Sequence, residues 1–295
     1  MRAERGRGTW WDSPRWPPHT ALFVSSLAPV VVGTGVAAHF GPVPTAKSLV
    51  ALGIAVSLGF GFSGLIRNTH LEPKDGNLVA GNLVAGIGSV RTVPRPPLAG
   101  LAVALVLSIW LAASTAWWLL PLEAAAVATV GLLGRPLYRN QAIGLDQLAL
   151  VAAAVLLAGL GTDWVELGRL PWLGLVAALL PASLATALLV LVKLADPSTG
   201  EQNRDDAAVA GLTTKGTRTL FQGLLGLALA VPLLITIPGL DGAECFLPWL
   251  LAPLAEGPLR NSGSPEPALR LRAVRQTVVL FAACSALLAV GIWTG

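Results

Sequence analysis

The side chains able to do polar chemistry in this 295-residue chain stand almost wholly in the gaps between apolar runs, and the cations among them are the most ordered. Arg2, Arg5, Arg7 and Arg15 precede the first run. Further groups are Arg67, Lys74, Arg91 and Arg95, then Arg135 and Arg139, then Lys193, Arg204, Lys215 and Arg218, then Arg260, Arg270, Arg272 and Arg275. The alternate gaps hold only Lys47 and Arg169, so 18 of the 20 Lys and Arg residues share one set of gaps. Guanidinium and ammonium groups in that position could hold phosphate oxygens through charge-assisted hydrogen bonds, with a phosphorylated substrate or anionic lipid as the partner. The positive-inside rule also accounts for them unaided. No GxxxxGK[ST], HExxH, CxxC or GxSxG occurs, which leaves P-loop NTPase, zinc-hydrolase and serine-hydrolase chemistry without support. Cys245 and Cys284 form no disulfide or metal pattern.

The elements that must position these residues are apolar spans. The runs lie near 20–38, 48–66, 98–113, 115–133, 142–160, 171–192, 219–237, 244–256 and 277–294. Positive charge stays on the cytoplasmic side, so the alternation predicts a cytoplasmic N-terminus, nine transmembrane helices and an external C-terminus. The eighth run is short for a crossing, which needs about 20 apolar residues. Removing it would put the Arg260–Arg275 group on the wrong side, so it is counted, with eight crossings as the fallback.

Composition agrees. Hydrophobic residues make up 54% of the chain and charged ones only 12%, about half the share usual in a soluble domain. Residues 1–19 read as a basic, Trp-rich cytoplasmic arm, and residues 20–295 as one transmembrane domain. Trp10, Trp11 and Trp16 are expected at one membrane interface, and Trp117, Trp118, Trp164, Trp172 and Trp293 at the other. The repeat GNLVAGNLVAG (Gly76–Gly86) reads as a loop or short interfacial helix.

Several segments in order resemble the UbiA superfamily of intramembrane prenyltransferases, closest to its menaquinone-type (1,4-dihydroxy-2-naphthoate) branch. They are SSLAPVVVGTGVAA (Ser25–Ala38), GRPLYRNQAIGLDQLALVAAAVLLAGLGTDWVE (Gly134–Glu166) and LLPASLATALLVLVKLAD (Leu179–Asp196). The resemblance implies nine helices around a lipid-sized cavity. It also implies transfer of a polyprenyl group from its diphosphate to an aromatic quinone precursor in a bacterial inner membrane.

In that family two acidic motifs hold Mg²⁺ against the diphosphate. The first is similar to Asn68-Thr69-His70-Leu71-Glu72-Pro73-Lys74-Asp75-Gly76, the second to Lys193-Leu194-Ala195-Asp196-Pro197-Ser198-Thr199-Gly200. The resemblance thus implies Glu72, Asp75 and Asp196 as metal ligands, and Asn68, Lys74, Arg135, Arg139 and Arg204 as diphosphate ligands. It gives His70 and Asp146 acid–base or orienting roles on the phenol; an acid in a first helical turn, like Asp146, also complements the helix dipole. Thr69 stands where the family has its first Asp, Glu72 where it has the second, Lys193 where it has an Asn and Gly200 where it has the final Asp. Lys193 could pair internally with Asp196 and Glu72 where the metal would sit. These departures favour an alternative: a catalytically degenerate member serving as a structural subunit of a larger membrane complex, binding quinone, lipid or pigment and needing no metal.

Overall fold

The computed structural model describes residues 17–69, 95–121, 124–125, 128, 143–195, 209, 212–236, 243–264 and 266–295. Eight α-helices are numbered in chain order: α1 (Pro17–Phe40), α2 (Thr45–Thr69), α3 (Arg95–Ser114), α4 (Leu145–Leu167), α5 (Trp172–Leu194), α6 (Thr214–Thr236), α7 (Ala252–Asn261) and α8 (Pro267–Thr294), with a 3₁₀ stretch, Ala243–Leu251, running into α7. No strand occurs among the described residues, only an isolated parallel bridge between Ile143 and Val209. Backbone groups in hydrocarbon must be satisfied within the segment, which is why the apolar runs become helices.

Five of these helices are long and apolar enough to cross a membrane: Thr20–Phe40, Leu145–Leu167, Trp172–Leu194, Thr214–Thr236 and Ala268–Thr294. Thr45–Gly61 and Leu98–Ser114 are shorter apolar helices. Of the expected run at 115–133, residues 115–121, 124–125 and 128 are described, with a bend and turn at 115–118 and helix from 119, and the rest lies outside the described residues. The expected run at 244–256 is not one α-helix: it begins as 3₁₀, with Pro248 inside, and turns α-helical only at Ala252. It nevertheless lies antiparallel along α8. Gly291 packs on the Glu244 backbone at one end, and at the other Asn261 Nδ2 donates to Gln276 Oε1 (3.4 Å).

Contacts fix the direction of each helix. Gly59 of α2 packs on Phe23 and Ser26 of α1, and Gly61 on Leu101 of α3, so these three run antiparallel in turn. Gly33 of α1 meets Gly159 and Thr162 of α4, and Gly35 meets Ala289 of α8, so α1, α4 and α8 are parallel. α5 opposes them, with Gly174 against Asp163 and Leu194 against Arg270. The described cations consequently divide. Lys47 and Arg169 lie at one end, called here the Arg169 end; Lys193, Lys215, Arg218, Arg260, Arg270, Arg272 and Arg275 lie at the other, the Lys193 end.

α5 is the hub. It packs against α1, α4, α6 and α8, and residues on every side of it are buried, from Leu173 to Leu194. Its Pro181 lies inside the helix and is enclosed by neighbouring helices, which in membrane proteins can re-satisfy a backbone group that proline frees. Around it, small residues bring backbones together. A Cβ on Gly35 would stand 2.7 Å from Ala289 Cα and O, closer than any real contact. Gly35→Val is therefore expected to destabilise the bundle by about 1–3 kcal/mol, the usual range for overpacking, seen as a lower unfolding midpoint in detergent. Gly223→Ala, where an added Cβ meets nothing within 4 Å, should leave that midpoint unchanged or slightly raised.

Candidate functional site

The Lys193 end is built from the ends of four helices. α5 finishes at Leu194 with Ala195 as its cap, two residues before Asp196. Arg270, in the first turn of α8, grips that end: Nη1 donates to the Leu194 carbonyl (2.9 Å) and Nε to the Ser264 carbonyl (2.8 Å). The last carbonyls of a helix lack intrahelical donors, and a cation at a C-terminus also complements the macrodipole. Arg270 thus holds the α5 terminus and the α7–α8 turn together. Arg218 of α6 donates from Nη2 to the Leu259 carbonyl (3.5 Å), tying α6 to α7. The Ile143–Val209 bridge, with both side chains fully buried, joins the entrance of α4 to the chain ahead of α6.

Lys193 lies within this assembly at 3% exposure. An ammonium group is almost never buried without partners, and Lys193 is partnered here rather than standing at a solvated helix end. Asp146 is exposed in the first turn of α4, its carboxylate folded back on Gly144, while Gln147 Oε1 accepts from the Gly144 N–H (3.3 Å). Asn68 belongs to the last turn of α2. His70, Glu72, Lys74, Asp75, Arg135, Arg139, Asp196 and Arg204 lie outside the described residues, as does the Gly76–Gly86 repeat.

The Arg169 end is different in kind. Gly168 closes α4 in the left-handed region (φ 66°), its N–H donating to the Trp164 carbonyl (2.8 Å). The Arg169 guanidinium then sits over the Phe40 ring at 5.0 Å. Trp118 and Trp164 meet edge to face at 5.3 Å, and Trp117, Trp172 and Trp293 are exposed, as interfacial tryptophans should be. A cavity of about 450 Å³ opens here, lined by Val31, Thr34, Gly35, Pro42, Ala289 and Trp293.

α4 corrects the sequence reading. The span expected to stop at 160 continues to Leu167 and carries Thr162, Asp163 and Glu166 inward, all three buried. Thr34 Oγ1 donates to Glu166 Oε1 (3.1 Å), and Lys47 Nζ reaches the Val165 carbonyl (3.4 Å). The missed signal was spacing: Gly159, Thr162, Asp163 and Glu166 fall at i, i+3, i+4 and i+7, one stripe of a helix.

Five apolar spans in an all-helical bundle with segregated cations define a multi-pass membrane protein. No family profile matches the chain. Two relatives do: a 1,4-dihydroxy-2-naphthoate octaprenyltransferase of Mycobacterium leprae, 30% identical over 258 residues (83% of this chain and 84% of the relative), and one of the same name from Mycobacterium tuberculosis, 30% identical over 248 residues (80% and 82%). The chain belongs to the UbiA superfamily of intramembrane prenyltransferases, in its menaquinone-type branch.

The grip on α5 yields an expected outcome. Arg270→Ala removes two donors from the Leu194 and Ser264 carbonyls and should cost about 1–3 kcal/mol, read as a lowered unfolding midpoint. Arg270→Lys, which keeps the charge but not the two-pronged geometry, should recover only part of the loss.

Proposed function

We propose that the chain transfers a polyprenyl group from its diphosphate to a hydroxylated aromatic acceptor of the dihydroxynaphthoate type, at the Lys193 end of the bundle. The observation that carries this reading is that α2 and α5 finish at the same end, where the cations collect. The segments holding Glu72 and Asp75 in one case, and Asp196 in the other, start from those two termini. The names of both relatives support the substrate classes, and nothing in them favours the non-catalytic alternative.

In this reading the bond between the allylic carbon and the diphosphate oxygen breaks with the electron pair leaving on the diphosphate. A ring carbon of the acceptor then attacks the allylic cation and loses its proton. Asn68, Lys74, Arg135, Arg139 and Arg204 hold the diphosphate oxygens. Glu72, Asp75 and Asp196 offer the hard carboxylate oxygens that suit Mg²⁺, which when bound neutralises charge on the leaving diphosphate. His70 or Asp146 accepts or orients the phenolic proton. The apolar faces of the helices keep water from the allylic cation, and the isoprenoid tail lies in hydrocarbon, where burial of each CH₂ contributes about 0.8 kcal/mol.

The membrane arrangement is part of the same proposal. Nine crossings with a cytoplasmic N-terminus and an external C-terminus in the bacterial inner membrane put the Lys193 end in the cytoplasm, where the diphosphate substrate is water-accessible. Two features support it: the uneven division of the cations between the ends, and the antiparallel run of 243–261 along α8.

Purified protein supplied with octaprenyl diphosphate, 1,4-dihydroxy-2-naphthoate and Mg²⁺ should form the prenylated product, and chelation should stop it. Asp196→Asn and Glu72→Gln should each lower turnover at least about a hundredfold, the scale of losing one charge-stabilising group, with unchanged unfolding midpoints. Turnover in neither the native protein nor the variants would favour the structural-subunit reading.

A further inference from the structure

A second charged site lies at the Arg169 end, and it is independent of the proposed transfer. Asp163 and Glu166 stand one turn apart on α4 at 1% and 9% exposure. Both Asp163 carboxylate oxygens and Glu166 Oε2 are buried without a hydrogen-bond partner. Buried carboxylates in membrane helices are rare and costly, and they mark ion or proton sites more often than packing.

Two hydroxyls stand at Glu166. Thr34 of α1 donates its hydroxyl proton to Glu166 Oε1 (3.1 Å), leaving its lone pairs free to ligate. The Ser48 hydroxyl of α2 faces the same carboxyl, its own donated bond to the Pro44 carbonyl being long at 3.4 Å. Asp163 Oδ2 presses against Gly174 in the first turn of α5, so closely that a Cβ there would overlap it. Asp163 therefore stands beside the N-terminal turn of α5. Lys47 points Nζ at the Val165 carbonyl, beside the pair.

We propose that Asp163, Glu166, Thr34 and Ser48 bind a small, hard, monovalent cation of the sodium type. Oxygen-only donors select hard cations over thiophilic ones. One added positive charge, with Lys47 alongside, balances the two carboxylates. The 450 Å³ cavity at the Arg169 end reaches one of the four, Thr34, which stands in its wall. Gly174 is part of the design: a side chain there would occupy the space Asp163 takes.

Thermal unfolding of the purified full chain, in NaCl against choline chloride at matched ionic strength and pH, tests this. Sodium should raise the midpoint saturably. Asp163→Asn should abolish the rise. Thr34→Val, which keeps the side-chain shape and every charge, should raise the half-saturating sodium concentration about tenfold, the equivalent of one lost ligand. If Asp163→Asn does not fold, Glu166→Gln takes its place beside Thr34→Val. Equal midpoints in sodium and choline would overturn the proposal, as would a sodium effect retained by the variants. Stabilisation by acidification alone, with no sodium effect, would overturn it too and identify a protonated carboxyl pair.

Discussion

The structure depends on one constraint: α5 is surrounded by protein, so no charge can reach its middle and both its ends must be held by other helices. It touches α1, α4, α6 and α8 along its length. In a medium where an isolated charge is strongly disfavoured, a helix so enclosed can carry charged side chains only at its termini, while mid-helix hydroxyls such as Thr186 bond back to their own helix, here to the Ala182 carbonyl. Lys193 marks one terminus and the Gly174–Asp163 contact the other. The two termini are closed by different means. A guanidinium satisfies the carbonyls at one, whereas a carboxylate sits against the first turn at the other.

That division explains the asymmetry of the whole bundle. The Lys193 end gathers cations from α5, α6, α7 and α8; Arg218 and Arg270 are anchored through backbone carbonyls, Lys215 and Arg260 stand in an exposed first and last turn, and Lys193 is buried. Such an end suits a multiply charged anion. Among the described residues, the Arg169 end has two cations, several exposed tryptophans and a buried acidic pair, which suits a boundary with lipid and a small ion. Close glycine contacts, as between Gly35 and Ala289, draw α1 and α8 together and fix the register of both ends at once.

Much of this was legible in the amino-acid sequence, for a physical reason. Helix formation in hydrocarbon is compulsory, and cations cannot cross, so apolar runs and the positions of Lys and Arg carry most of the topology. The segments resembling UbiA proteins led to the family that the mycobacterial relatives then showed. What hydropathy could not give was the course of helices through polar residues. α8 begins at Pro267, ten residues before the apolar run, because Arg270, Arg272 and Arg275 continue the helix beyond the apolar core. α4 runs on past Leu160 because its polar stripe is buried against α1 and α5. The run at 244–256 was read as a short crossing, tilted or partly re-entrant, and its 3₁₀ start at Ala243–Leu251 was not foreseen; Pro248, which cannot donate to an i−4 carbonyl, coincides with the departure from α-geometry. Of the candidate site, the termini of α2 and α5 and the position of Asp146 are now fixed, while the acidic segments themselves fall outside the described residues.

The most direct test of the central claim, that anionic substrate is handled at the Lys193 end, is photocrosslinking with a polyprenyl diphosphate analogue carrying its reactive group on the diphosphate. The labelled peptides are then mapped by mass spectrometry. The expected result is labelling confined to peptides from 67–75, 135–146 and 193–206, competed by unmodified polyprenyl diphosphate and weakened by Asp196→Asn. Competed labelling of the α1–α2 turn or of Trp164–Trp172 would contradict it and place the anion at the Arg169 end.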